Sequence, residues 1–162
     1  MQSNKPVVFL DVDGVLHPFN GANSTIFHKS CMQILKRIIS ETNAEIVLSS
    51  SWRNFASMRN RLQANLHEYG LAFNRWVEPD SASYTSESVS GQKMSKILSF
   101  VLAHNPPEWV VLDDEDLVAV SGTDPASVMV QLFGSRFVKT DPAVGLTPVD
   151  AEKVKNLLIP NA

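Results

Sequence analysis

Lys5-Pro6-Val7-Val8-Phe9-Leu10-Asp11-Val12-Asp13-Gly14-Val15-Leu16 is the stretch that decides the fold of this chain. Val7 to Leu10 are β-branched, aromatic or aliphatic with no polar alternation, the pattern of a strand buried on both faces of a parallel sheet. The run stops on two carboxylates, Asp11 and Asp13, with only Val12 between them. Carboxylates that close repel, and ionising both is expensive unless a cation holds them together. Gly14 removes a Cβ, which lets the chain leave the strand in a sharp turn and lets a ligand approach the backbone. A bare Asp/Gly turn after a strand is ordinary; a buried strand ending in Asp-Val-Asp-Gly-Val is far more specific.

Outward from this stretch the pattern repeats. A loop from His17 to Thr25, with Pro18, Asn20, Gly21 and Asn23, leads to a helix from about Lys29 to Thr42, where Met32, Leu35, Ile38 and Ile39 fall at helical spacing. A second buried strand spans Glu45 to Ser50 and ends in Ser49-Ser50-Ser51-Trp52-Arg53. A helix from about Phe55 to Tyr69 closes at Gly70, and Leu71 to Val77 reads as a third strand. Glu78 to Gly91 reads as a polar, serine-rich loop, and the composition leaves open whether it closes over a site. A helix from about Gln92 to His104 stops at Asn105-Pro106-Pro107. The fourth strand, Trp109 to Leu112, runs into Asp113-Asp114-Glu115-Asp116. A helix around Pro125 to Phe133, a strand from Arg136 to Thr140 and a last helix from Pro148 to Leu158 complete the chain. Non-alternating strands alternating with helices predict an α/β fold with a doubly wound parallel sheet. In such sheets ligands bind beyond the carboxyl ends of the strands, where each of these polar clusters falls.

Length and composition narrow the class. The 162 residues suit one domain, 1–162, with a single core. No apolar run approaches the roughly 20 residues that span a bilayer, so no membrane partner is expected. The first five residues lack the charged and apolar regions of a signal peptide, and Cys31 is the only cysteine; both predict a cytoplasmic protein. Cys31 itself reads as a small buried residue of a helix. A net charge of −3 is not the basic surplus of a duplex-binding module, although Arg53, Arg59 and Arg61 form a local basic cluster.

Three strand ends and one helix carry the chemistry. Asp11 and Asp13, the Ser49–Ser51 run, Asp113 and Asp114, and Lys93 or Lys96 supply carboxylates, a hydroxyl and an ammonium. Carboxylates from adjacent strands suit Mg²⁺, a hard cation that also takes a substrate phosphate oxygen. The hydroxyl and ammonium suit the remaining phosphate oxygens, and phosphoryl transfer needs chiefly such positioning and charge neutralisation. Met94, Ile97, Leu98, Val101 and Leu102 define the buried face of the helix. Lys93 flanks that face in the first turn and is favoured, whereas Lys96 lies opposite and reads as a solvated charge.

The order Asp-x-Asp, Ser, Lys, Asp-Asp resembles the four motifs of the haloacid dehalogenase (HAD) superfamily of phosphotransferases. The resemblance implies that Asp11 is the nucleophile, forming an aspartyl-phosphate and ligating Mg²⁺. It implies that Asp13 protonates the leaving oxygen and then activates water, and that its backbone carbonyl is a metal ligand. Asp114 takes the metal-binding position of the Asp-Asp variant, supported by Asp113. Ser50 is favoured for phosphate binding, with Ser49 second; Ser51, Gly14 and Lys93 complete that set. Glu115 and Asp116 receive no role, Trp52 reads as a packed aromatic with a place at the border of the site as the alternative, and Arg53 as solvent-facing by default with substrate contact as the alternative. His17 is a weaker candidate for substrate contact, while His28, His67 and His104 read as structural or exposed.

Trp52 after the second motif, with Lys139-Thr140-Asp141-Pro142-Ala143-Val144-Gly145-Leu146-Thr147, is similar to the HAD-like domains of Swiss-army-knife RNA repair proteins and their stand-alone relatives. That likeness implies phosphorylated polynucleotide ends as a substrate class. Neither the gap from Val15 to Ser30 nor that from Arg53 to Gln92 has room for a cap domain. The expectation is a capless or minimally capped core with an open site, suited to large substrates and to small phosphate esters alike. Asp13 argues against a dehalogenase, where no alkoxide leaves. The motif order argues against a signalling receiver domain, whose phospho-acceptor lies on the third strand. An idle fold that binds metal and phosphate without turnover is the alternative class.

Overall fold

The computed structural model describes residues 3–19, 26–81 and 86–160, and for 86–90 the backbone alone. The elements run β1 (Val7–Leu10), α1 (Lys29–Thr42), β2 (Glu45–Leu48), a 3-10 turn (Ser51–Asn54), α2 (Ala56–Glu68) and β3 (Phe73–Trp76). Then follow α3 (Ser86–His104), β4 (Trp109–Asp113), α4 (Leu117–Val120), α5 (Val128–Ser135), β5 (Phe137–Lys139) and α6 (Pro148–Leu158). The five strands form one sheet in the order β3-β2-β1-β4-β5, every pairing parallel. The predicted α/β parallel sheet is therefore the observed one, with β1 at its centre.

Two apolar layers cover the sheet, as unbroken apolar strands require. Val8, Leu10, Ile46, Leu48, Val110 and Leu112 face one layer with Leu35 and Ile38 of α1, Leu62 and Leu66 of α2, and Val154 and Leu158 of α6. The alternate residues Phe9, Val47, Trp109 and Val111 face the other, with Ile97 and Phe100 of α3, Leu117 of α4 and Phe133 of α5. Cys31 is buried in α1. The last helix begins with a capping box, in which Thr147 and Asp150 bond each other's backbone N–H around Pro148. Among the described residues no helix is long and apolar enough to cross a membrane.

Three departures from the sequence reading have physical causes. Residues 86–91 are helical rather than loop, so α3 starts at Ser86. Serine is a weak helix former, and its tertiary setting rather than its propensity decides the conformation. Residues 82–85, the middle of the expected serine-rich loop, lie outside the described residues. The one-turn helix α4, capped by Asp116, was not foreseen because four residues are too few to show a period. Leu102, expected on the buried face of α3, is 76% exposed. The buried side of that helix is set by Met94, Ile97, Leu98 and Phe100 instead.

The segment after β5 braces the turn after β1. Thr140 Oγ1 donates to Gly14 O at 2.7 Å, Phe19 N–H to Pro142 O at 2.7 Å, and Leu146 N–H to Val15 O at 2.9 Å. Gly145 lies between them at φ +80°, where a Cβ would meet Cys31 Sγ at 2.8 Å and Val15 O at 2.9 Å. Backbone strain and overpacking act together there, so Gly145→Ala is expected to destabilise the fold by about 1–3 kcal/mol. Urea unfolding at equilibrium checks this; a midpoint equal to that of the parent protein would mean that the brace is not tight.

Candidate active site

The register of the three central strands assembles the site. Leu10 pairs with Leu48 on one side and Leu112 on the other, so Asp11, Ser49 and Asp113 stand abreast just beyond. Asp11 N–H donates to Leu112 O and Ser49 N–H to Leu10 O, both at 3.0 Å, which carries the ladder one step further. Side chains alternate along a strand. Since Phe9, Val47 and Val111 face α3, the residues two further on, Asp11, Ser49 and Asp113, share that side.

From α3 comes Lys93, whose Nζ lies 2.7 Å from Asp113 Oδ2 and 3.5 Å from Asp11 Oδ1. Lys96 does not enter this group. Contrary to the sequence reading it is not a solvated charge either: its Nζ pairs with Asp80 Oδ1 at 2.5 Å and bonds Pro79 O at 3.2 Å. Asp114 folds over Gly14, where a Cβ would lie 2.4 Å from Asp114 Oδ2. Gly14 is at φ +75°, so the position demands glycine twice, for backbone conformation and for space. Carboxyl oxygens of Asp11, Asp113 and Asp114 all lie within 4.8 Å of one another.

Three carboxyls thus face one ammonium. Burial alone would lower the Lys93 pKa, but Asp11 and Asp113 outweigh it and hold the ammonium charged well above the ordinary lysine range. One positive charge does not satisfy the acids. Burial, followed by the charge on Asp11, pushes Asp113 up to about 7 and Asp114 up to about 6. A group of close, buried, oxygen-donating acids with surplus negative charge is the chemistry that binds a hard metal ion. Asp11, Asp113 and Asp114 fit that role.

Asp13 is held differently. Its Oδ1 is 2.8 Å from His17 Nε2, and its Oδ2 accepts from Trp52 Nε1 at 3.1 Å. The His17 bond, with a smaller contribution from Trp52, keeps this carboxyl below the usual carboxylate range despite its partial burial. His17 is therefore a buried partner of Asp13 rather than a group presented to substrate, and Trp52 is packed and hydrogen-bonded at once. Sequence alone gave no sign of either contact.

The three serines separate. Ser50 Oγ caps the 3-10 turn by accepting Trp52 N–H at 3.2 Å. Ser51 is exposed at the cleft wall. Ser49 Oγ is buried and has no hydrogen-bond partner among the described residues. A buried hydroxyl without a partner is costly, so its presence calls for an explanation. Above the row opens a cleft of about 400 Å³ lined by Asp11, Asp13, Phe19, Ser51, Arg53, Lys93, Asp114 and Glu115.

Arg53 departs furthest from expectation: it is fully buried, not solvent-facing. Its Nη1 donates to Ser49 O at 2.8 Å and Ser50 O at 2.9 Å, its Nε to Glu78 O at 3.1 Å, and its Nη2 to Asp80 Oδ1 at 2.8 Å. Asp80 went unnoticed in the sequence, where a Pro-Asp pair in a polar stretch looks like a turn. Burial pushes its carboxyl up, yet Lys96, Asn54 and Arg53 together hold it below the usual range. Of the remaining residues, Glu115 gives its backbone N–H to Asp113, and Asp116 caps α4. His28 and His67 are exposed, and His104 packs on Phe100.

No curated protein matches the chain. Residues 7–151 match the family described as the HAD domain in Swiss Army Knife RNA repair proteins, a span that holds β1 through the start of α6 and every site residue above. The chain therefore belongs to that family, within the HAD-like superfamily that its sheet order and its acidic strand ends already suggested.

Proposed function

We propose that this protein is a Mg²⁺-dependent phosphomonoester hydrolase that works through an aspartyl-phosphate on Asp11. The observation that carries the reading is the juxtaposition of Asp11, Asp113, Asp114 and Lys93 at the floor of an open cleft whose wall presents Asp13. Asp11 and Asp114, with Asp113 in support and the Asp13 carbonyl as the resemblance implies, would hold Mg²⁺, which would supply charge neutralisation for the phosphoryl oxygens. Lys93 keeps Asp11 oriented and offsets part of the incoming negative charge. An Asp11 carboxylate oxygen attacks phosphorus while the ester P–O bond breaks, and Asp13 gives its proton to the departing oxygen. In the second step Asp13 takes a proton from water. The hydroxide attacks the same phosphorus, and phosphate leaves as the Asp11 carboxylate is restored.

For the hydroxyl that meets a phosphoryl oxygen, Ser49 replaces Ser50 as the favoured residue. Ser49 lies on the Asp11 side and its hydroxyl is unpartnered, whereas the Ser50 hydroxyl is already a cap. Ser51 lines the cleft itself. Phosphorylated polynucleotide ends are the substrate class best suited to this opening. Phe19, 60% exposed, lines the cleft, and Phe55, 59% exposed, follows the Ser51–Asn54 turn. Beyond them Arg59 covers the face of Trp76 at 4.5 Å. Exposed aromatics interleaved with arginine suit single-stranded nucleic acid. A cytoplasmic setting accords with the free thiol of Cys31.

Phosphate release from a panel of aryl phosphates, sugar phosphates, nucleotides and 5′- or 3′-phosphorylated oligonucleotides is expected with Mg²⁺ and not with EDTA, and to be strongest on oligonucleotide ends. Release mainly from small esters would point to a metabolic phosphatase. Silence across the panel with Mg²⁺ still bound would leave a binding module. Asp11→Asn is expected to lower turnover at least about a thousandfold with the fold intact; turnover that survives it would sink the aspartyl-phosphate.

The raised carboxyls fix a second outcome. A folded-state pKa above the unfolded one contributes stability that is present at low pH and lost as pH rises through it, here through about 6 for Asp114 and about 7 for Asp113. In EDTA the Tm is expected to rise on going from about pH 8 to about pH 5.5, and Mg²⁺ to raise the Tm more at the higher pH. A larger Mg²⁺ effect at the lower pH would contradict the assignment of these acids as ligands.

A further inference from the structure

On the cleft wall both carboxylate oxygens of Asp13 are held, and the constraint comes from two residues that do not touch the floor. His17 and Trp52 approach the two carboxylate oxygens from different segments: His17 from the turn after β1, Trp52 from the 3-10 turn after β2. Both are buried, at 2% and 4% exposure. The tautomer of His17 follows from its other contact. Nδ1 lies 3.3 Å from the N–H of Phe27 and therefore accepts, which leaves the ring proton on Nε2, pointing at Asp13.

Phe27 holds both rings. It meets His17 edge-on at 5.9 Å and Trp52 at 5.5 Å. Its φ is +59°, a left-handed conformation that a non-glycine residue keeps only where the surroundings over-determine it. A residue in a strained backbone conformation thus packs against both rings whose N–H groups meet the Asp13 carboxylate. Asp13 nonetheless remains on the cleft wall, with its side chain 36% exposed.

We propose that His17 and Trp52 are positioning residues that hold Asp13 in the rotamer from which it passes a proton to the leaving oxygen, and that neither contacts the substrate. This rests on the reading of Asp13 as the acid of the hydrolase above. A general acid acts only from within hydrogen-bond reach of its target, and a carboxylate with free χ angles spends little time there. In the step concerned, the Asp11 oxygen–phosphorus bond forms, the ester oxygen–phosphorus bond breaks, and the proton on Asp13 ends on the leaving oxygen. Loss of a clamp donor weakens that last transfer and leaves the nucleophile, the metal ligands and Lys93 in place.

The test uses the panel ester hydrolysed fastest by the parent protein, paired with its analogue in which sulfur replaces the bridging oxygen. A thiolate leaves without being protonated, so the pair differs in its need for the acid alone. His17→Phe and Trp52→Phe are expected to lose at least about tenfold in kcat/KM, which reports the step that expels the leaving group and not the later hydrolysis common to both substrates, on the oxygen ester and no more than about threefold on the sulfur analogue. His17→Gln, which keeps an N–H for Asp13, is expected to recover part of the loss. The ratio of the two rates is blind to any fraction of unfolded protein, because misfolding lowers both equally.

Equal losses on the two substrates, or none on either, would overturn the clamp. Asp13→Asn separates this from the larger reading. If it discriminates oxygen from sulfur and the clamp variants do not, only the clamp fails. If Asp13→Asn itself does not discriminate, the role of Asp13 fails and the clamp with it. A parent protein silent on every ester would overturn both.

Discussion

The structure turns on an imbalance of charge at the carboxyl ends of β1 and β4. Asp11, Asp113 and Asp114 converge there, with Lys93 as the ammonium paired to Asp11 and Asp113. A salt bridge made for stability alone pairs one acid with one base, and even that seldom recovers the full penalty of desolvation. Three acids gathered into a space under 5 Å across, around one lysine, are a worse bargain for the empty fold. The sheet enforces the meeting all the same. Its order places β1 between β2 and β4, its register sets Asp11, Ser49 and Asp113 abreast, and the missing Cβ of Gly14 admits Asp114. The fold therefore holds ready a group of acids whose surplus negative charge has the chemistry of a hard-cation site.

A second network keeps the cleft wall rigid. Arg53 spans the carbonyls of Ser49 and Ser50, the carbonyl of Glu78 and the carboxylate of Asp80. Asp80 in turn draws in Asn54 and Lys96. One buried guanidinium thus ties the end of β2, the segment after β3 and α3 into a unit. Planar, forked and always charged, arginine suits a position with several acceptors fixed in direction; lysine would satisfy fewer of them. The strand end that carries Ser49 is consequently anchored through its carbonyl, while its hydroxyl has no partner among the described residues.

How far the sequence disclosed all this depended on whether a signal was local. The apolar run into Asp11 and Asp13 was legible because a doubly buried strand ending in acids is a contiguous pattern. The choice of Lys93 over Lys96 was legible because helical periodicity places one beside the apolar face and the other opposite. The sequence reading favoured Ser50 over Ser49; that the Ser50 hydroxyl is committed to a cap while that of Ser49 is not depends on which residue ends the strand and hence on which face each side chain takes. Arg53 was read as exposed because burial of an arginine is rare without partners, and its partner Asp80 lies on another segment. The contact of Trp52 with Asp13 was hidden for the same reason, being 39 residues away, whereas His17 is only four residues from Asp13 and was hidden because the turn that brings them together has no periodic signal. A family resemblance supplied the roles of the acids; it said nothing about what holds them still.

The absence of a cap bears on which half of the proposed chemistry is difficult. Among the described residues, the segments after β1 and between β2 and α3 contribute turns, α2 and β3, but no inserted domain. An open cleft does not keep bulk water from an aspartyl-phosphate, so hydrolysis of that species has its nucleophile at hand, and transfer to another acceptor does not compete well. What an open site does not supply is orientation of the ester at the first step, where a lid elsewhere excludes water and fixes the leaving group. That demand falls on rigidity instead. The acid must already be in place when the substrate arrives, which is the circumstance under which a carboxylate pinned by His17 and Trp52, themselves pinned by Phe27, makes physical sense.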